Sequence, residues 1–256
     1  MTPFDAVILG IVEGATEFLP VSSTGHLILA NALLGNSATE FAKSFEIVIQ
    51  LGAILAVVAL YWRSFLNIEL VKKLAVAFIP TGTIGFALYP LVKTYFLGSI
   101  PVVLSALFVG GIVLIIFEHF HSKHPEDELI EKTMSYRDAA LIGLFQALAI
   151  IPGVSRSAAT ILGGLALGYS RIAIVEFSFL LAVPTLLAAS GLDLAQNGLA
   201  FTNGQWVSLL IGFGVSFAVA VASIKWLLGY IRNHSFSTFG LYRIVLAVIF
   251  FILFIS

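Results

Sequence analysis

The stretch Glu13-Gly14-Ala15-Thr16-Glu17-Phe18-Leu19-Pro20-Val21-Ser22-Ser23-Thr24-Gly25-His26 interrupts an apolar run that extends from Ala6 to Gly35. Its middle, Pro20 to Gly25, is built from residues that end helices, so the run splits into two pieces, each too short to cross a bilayer comfortably. A second apolar run, Ala139 to Gly168, is broken the same way by Pro152-Gly153-Val154-Ser155-Arg156-Ser157. Both read as re-entrant pairs: a helix in, a turn at depth, a helix out. Broken backbone is tolerated at that depth only where protein or water surrounds it.

Six further segments are long and apolar enough to span a hydrocarbon core, which needs about 20 helical residues. They run approximately from Phe45 to Trp62, Leu74 to Leu91, Pro101 to Glu118, Ile172 to Ser190, Trp206 to Leu228 and Phe239 to Ser256. Composition agrees. Of the 256 residues 59% are hydrophobic and 11% charged, with a mean hydropathy of +1.05. A soluble domain carries about a quarter charged residues. The net charge of −1, with no basic patch, argues against nucleic-acid binding. The absence of cysteine excludes disulfides, thiolate chemistry and Cys-based metal sites. Without a basic n-region ahead of Glu13 and Glu17, residues 1–256 are expected to form the mature protein.

The two broken runs align at a shift of 133 positions, which places Gly10 on Gly143, Glu13 on Gln146, Ser22 on Ser155 and Gly35 on Gly168. Each is followed by three spans. Three is odd, so the second set is expected upside down relative to the first, with the turns approaching from opposite faces as in inverted-repeat transporters. The expected fold is an all-α polytopic membrane protein: six transmembrane helices plus two re-entrant helix pairs arranged as an inverted repeat. It forms one membrane domain, with repeat 1 over about 1–118, a loop over about 119–137 and repeat 2 over about 138–256. With both termini on one side, the opposite side receives nine basic loop residues against two, so it should be cytoplasmic and the termini should face outward.

A charge near the bilayer centre costs at least about 2.5–3.5 kcal/mol on insertion scales, so such residues imply a role. Glu13 and Glu17 are four apart, on one helix face. They suit a hard divalent cation such as Mg²⁺, or general-base chemistry. Ser22, Ser23, Thr24 and Gly25 then offer hydroxyls and the start of a helix to an anion. His26 follows, as nucleophile toward phosphorus or as general acid. Arg156, between Ser155 and Ser157, suits bidentate contact with phosphate, or an ion pair with Glu13 or Glu17. Glu46 and Gln50 are candidates for a supporting shell, and Asp193 and Arg243 for the membrane interface. His119, His121 and His124 fall in a charged loop expected to be solvated. Gly10, Gly14, Gly110, Gly111, Gly163 and Gly164 are expected to permit close helix packing.

The run from Glu13 to His26 resembles the signature of the bacterial undecaprenyl-diphosphatase, or bacitracin-resistance, family. Pro152-Gly153-Val154-Ser155-Arg156-Ser157-Ala158-Ala159-Thr160 resembles that family's other signature, with Ala158 where the pattern usually has Gly. The similarity extends to Phe45–Val57 and to Phe239-Gly240-Leu241-Tyr242-Arg243. The resemblance implies hydrolysis of undecaprenyl diphosphate to undecaprenyl phosphate and phosphate, which recycles the lipid carrier for cell-wall synthesis and confers bacitracin resistance. It also implies a divalent cation (Mg²⁺, or Ca²⁺) and an outward-facing site in the bacterial cytoplasmic membrane. On this reading Glu13 and Glu17 serve as metal ligands or base, and Ser22, Ser23, Thr24 and His26 serve the chemistry. Ser155 and Arg156 would bind the diphosphate, with Gly25 and Ser157 beside them. The partners are a polyprenyl diphosphate lipid and the bilayer, with a homodimer left open. A lipid transporter or flippase using the same polar cluster is the alternative.

Overall fold

In the computed structural model, residues 1–36, 39–96, 99–121, 132–197 and 201–254 are described. They form ten α-helices: α1 (Pro3–Thr16), α2 (Ser23–Leu33), α3 (Glu40–Tyr61), α4 (Ile68–Tyr95), α5 (Ile100–Phe120), α6 (Tyr136–Ala147), α7 (Arg156–Ala166), α8 (Arg171–Asn197), α9 (Asn203–Ile231) and α10 (Ser237–Phe254). Six of them, α3, α4, α5, α8, α9 and α10, are long and apolar enough to cross a membrane. These are the six segments expected from the sequence. The other four have 14, 11, 12 and 11 residues. At 1.5 Å per residue, none reaches the roughly 30 Å of a hydrocarbon core.

Local chemistry sets the helix boundaries. Thr2 and Asp5 form a reciprocal capping box ahead of α1, with Pro3 at its first position. Thr202 and Gln205 do the same for α9. Thr39, Asn67 and Ser135 cap α3, α4 and α6 with their side-chain oxygens.

The caps of α2 and α7 are different in kind. Ser22 has φ 70° and Ser155 has φ 78°, and these are the two non-glycine residues with positive φ among those described. Each side chain accepts a hydrogen bond from the backbone N–H three residues on, Gly25 and Ala158 respectively. Positive φ is costly for a residue with a Cβ, yet it recurs here at two serines 133 positions apart, each with the same cap. Gly153, at φ 96°, lets the second turn pass close under α5, where a Cβ would meet the Val103 carbonyl at 2.7 Å.

The packing is equally paired. Helix α1 lies along α9, and α6 along α4. Each contact is made close by a glycine: a Cβ on Gly10 would meet the Gly212 carbonyl, and one on Gly143 the Ala77 carbonyl. Gly14, Gly111, Gly163 and Gly164 likewise face neighbouring atoms at distances no Cβ tolerates, as expected. Gly110 instead leaves room for the Arg243 guanidinium. Around Phe18, Ile54, Phe179, Leu181 and Ile224 the four inner helices α3, α4, α8 and α9 enclose the main core with the first turn, α6 and α7. The α5–α10 pair flanks it. Between α5 and α7 an apolar groove of about 720 Å³ is lined by residues such as Val109, Val113, Ala158 and Leu162.

His121, expected in a solvated loop, is half-buried, and its Nε2 donates to the Leu165 carbonyl at 2.8 Å. That carbonyl only accepts, so Nε2 carries the proton. His124 and the side chain of Asp193 lie outside the described residues.

Candidate active site

The two turns meet. Ser157 Oγ donates to the Leu19 carbonyl at 2.7 Å, which joins the second turn to the first across 138 positions. Just beyond, Arg156 Nη2 donates to Glu17 Oε1 at 3.2 Å, and its Nη1 donates to the Ser178 carbonyl at 2.9 Å. Ser23 Oγ donates to the other oxygen of Glu17 in a short hydrogen bond. Glu17 is therefore shared between a hydroxyl on its own turn and a guanidinium on the opposite one. Both charged side chains are nearly enclosed, at 10% exposure for Arg156 and 6% for Glu17. Of the two partners left open for Arg156 by the sequence, the structure selects Glu17.

Glu13 is fully buried, one helical turn before Glu17, and neither of its carboxylate oxygens has a hydrogen-bond partner among the described residues. The charges it faces are those of Glu17, Glu46 and Arg156. Arg156 Nε is also buried without a partner. A native interior satisfies nearly all its polar atoms, so a buried carboxyl and a buried guanidinium N–H left without partners beside one ion pair leave groups for a bound ligand to meet. A divalent cation fits the oxygen-only donor set of Glu13 and Glu17. No cluster of three His, Cys, Asp or Glu occurs among the described residues. Two carboxylates alone fit an ion such as Mg²⁺ only where waters or phosphate oxygens complete its shell.

The remaining expected residues divide. Ser22 and Ser155 are buried and spend their hydroxyls on their helix caps, Ser155 also reaching Ser157 Oγ at 3.1 Å. Gly25 is buried and Thr24 half-buried at the start of α2. His26 turns away from the glutamates. Its Nδ1 lies 2.8 Å from the Ser22 carbonyl and its Nε2 2.7 Å from the Tyr242 hydroxyl. The carbonyl accepts, so Nδ1 carries a proton, and in the neutral ring Nε2 accepts from Tyr242. Glu46 accepts from Asn31 Nδ2 at 2.7 Å, near the C-terminal end of α2.

Several residues were not singled out from the sequence. Ser178 holds Arg156 by its carbonyl, and its hydroxyl pairs with Thr160 Oγ1 at 2.6 Å. Tyr242 was passed over because an aromatic residue in an apolar span carries no signal of its own. Arg243, expected at the membrane interface, is instead fully buried. The usable signal was there: a cation inside an apolar segment needs a partner.

At the position matching Glu13, Gln146 donates to the hydroxyls of Thr81 (2.9 Å) and Thr185 (3.2 Å). Gln146 and Ile150 stand 133 positions beyond Glu13 and Glu17, so the carboxylate pair is confined to the first broken run.

A helical bundle with six bilayer-length helices and a buried charged site between two broken half-helices defines a polytopic membrane protein. The family model described as bacitracin resistance protein BacA matches residues 6–249, and the chain belongs to that family. It is 50% identical over 252 residues to the undecaprenyl-diphosphatase of Sulfurihydrogenibium sp. (strain YO3AOP1), covering 98% of this chain and 99% of that protein. The undecaprenyl-diphosphatase of Aquifex aeolicus is 48% identical over 251 residues, covering 98% of each chain. That of Thermus thermophilus is 46% identical over 254 residues, covering 98% and 97%.

Proposed function

We propose that this chain is a hydrolase that cleaves undecaprenyl diphosphate to undecaprenyl phosphate and phosphate, in the site formed by Glu13, Glu17, Ser23 and Arg156. The observation that carries the reading is Glu17, which binds the Ser23 hydroxyl with one oxygen and the Arg156 guanidinium with the other. A hydroxyl within hydrogen-bond reach of a carboxylate is an activated nucleophile in waiting, and a guanidinium beside it seats a phosphate.

Ser23 Oγ attacks the terminal phosphorus and passes its proton to Glu17. The bond from that phosphorus to the bridging oxygen breaks, and undecaprenyl phosphate leaves with the electron pair. Glu17 hands that proton to the departing undecaprenyl phosphate. Water then attacks the phosphoserine and gives its proton to Glu17; the bond from phosphorus to Ser23 Oγ breaks, and Glu17 returns the proton to Oγ as phosphate leaves. Arg156 exchanges its contact with Glu17 for the phosphate oxygens, and its free Nε completes a fork toward them. A divalent cation held by Glu13 and Glu17 supplies neutralisation of the diphosphate charge. Both ring nitrogens of His26 are engaged, which favours Ser23 over His26 as nucleophile. His26 instead ties the serine turn, through the Ser22 carbonyl, to Tyr242 on α10.

The protein lies in the bacterial cytoplasmic membrane with both termini and the site facing outward, a reading supported by the asymmetry of basic loop residues. The short pairs α1–α2 and α6–α7 are re-entrant and the two halves are inverted repeats. The shared backbone of Ser22 and Ser155 and the matched contacts of Gly10 and Gly143 support this. The hydrocarbon tail stays among the lipids beside the spans, while its diphosphate enters between the turns. The product re-enters cell-wall synthesis as the lipid carrier, and depletion of the diphosphate form confers bacitracin resistance.

The test is to quench a single turnover of the purified protein with undecaprenyl diphosphate labelled at the terminal phosphate, with Mg²⁺ present. Label on Ser23 is expected. Label on His26 would move the nucleophile, and transbilayer movement of intact substrate without phosphate release would favour a flippase.

A further inference from the structure

Arg243 is 0% exposed, on the face of α10 turned toward α5 and both turns. A guanidinium has five N–H donors, and all five of this one meet backbone carbonyls. Nε donates to Leu107 at 3.3 Å, Nη1 to Pro20 (3.3 Å) and Val154 (3.1 Å), and Nη2 to Ala106 (3.1 Å) and Gly153 (2.8 Å). No carboxylate pairs with it among the described residues. Gly110 admits the guanidinium, because a Cβ there would collide with Arg243 Nη2.

The pattern of acceptors matters more than their number. Pro20 belongs to the first turn, Gly153 and Val154 to the second, and Ala106 and Leu107 to α5. Carbonyls of broken backbone within an apolar bundle need donors, and here one planar fork serves both turns at once. Glu17 and Ser23 each lie three residues from Pro20, and Arg156 lies two residues beyond Val154.

We propose that Arg243 is a positioning residue, which fixes the turn bearing Glu17 and Ser23 against the turn bearing Arg156 by donating to both. The proposal rests on the reaction described above for its kinetic consequence, while its structural consequence can be read without turnover. Lysine keeps the charge but has three donors on a flexible stem, so it cannot serve all five carbonyls in one plane. A displacement of about 1 Å between reacting groups costs about 100-fold in rate.

The experiment compares wild type with Arg243→Lys in detergent by amide hydrogen exchange and by phosphate release from undecaprenyl diphosphate. Exchange is expected to quicken at residues 18–22 and 151–156 together. The kcat should fall by about 100-fold with KM held within about twofold. Combined with Arg156→Lys, Arg243→Lys should cost much less than it does alone, because both disturb the same alignment. Exchange that quickens at only one turn or neither would overturn the proposal. So would a rise in KM alone, or losses that multiply independently. If Arg243→Lys does not fold, Gly110→Ala, which crowds the guanidinium without removing it, takes the same measurements. Failure of the reaction itself shows separately, as no phosphate release from wild type, and the exchange comparison then still decides whether Arg243 joins the turns.

Discussion

Arg156 Nη2 and Glu17 Oε1 stand 3.2 Å apart although 139 positions separate them in sequence. Removing one member of a buried pair strands the other charge, at about 3–5 kcal/mol. Glu17→Gln should therefore lower the thermal midpoint, and Glu17→Gln with Arg156→Met should recover part of it. Activity behaves differently: the single and the double substitution should both cut phosphate release by at least about 100-fold. Thermal unfolding and phosphate assays on the same samples check the two halves of this statement.

The unpartnered oxygens of Glu13 predict a cation requirement. EDTA should abolish phosphate release and added Mg²⁺ or Ca²⁺ should restore it. In Glu13→Gln the Mg²⁺ concentration giving half-maximal activity should rise by at least about tenfold. An unchanged Mg²⁺ titration in that variant would remove Glu13 from the cation site.

Gly143 presses on the Ala77 carbonyl, whereas a Cβ on Gly229 would meet nothing within 4 Å. Gly143→Ala should destabilise by about 1–3 kcal/mol through overpacking. Gly229→Ala should be neutral or slightly stabilising, since alanine is the better helix former. Thermal midpoints in one detergent decide it, and equal midpoints for the two variants would contradict the packing described.

Ser155 combines positive φ with a side-chain cap. Ser155→Ala loses the cap and keeps the strained backbone, so it should cost about 1 kcal/mol. Ser155→Gly loses the cap but relieves the strain, and should lie close to wild type. A glycine variant less stable than the alanine variant would count against the turn geometry.

Much of this was legible in the sequence, for identifiable reasons. The six spans are set by hydropathy over about 20 residues, which side-chain detail barely affects. The breaks at Pro20 and Pro152 follow from the chemistry of proline and glycine. Glu13, Glu17 and Arg156 stood out because charges are rare in apolar helices. What sequence could not convey was direction. His26 follows the serine turn closely, yet its ring faces Tyr242 on α10 rather than the glutamates. Arg243 is a cation within an apolar segment and so signals a buried partner, but that its partners are backbone carbonyls leaves no trace in residue identity. Ser178 was invisible for the same reason, since it holds Arg156 through its main chain.

The central claim is that Ser23, Glu17 and Arg156 together cleave a polyprenyl diphosphate. The most direct measurement is phosphate release from undecaprenyl diphosphate by the purified protein in detergent with Mg²⁺, for wild type, Ser23→Ala and Arg156→Ala. The account predicts steady release by wild type and loss by at least about 100-fold in both variants, with the fold retained. No release from folded wild type, or undiminished release from folded Ser23→Ala, would contradict it.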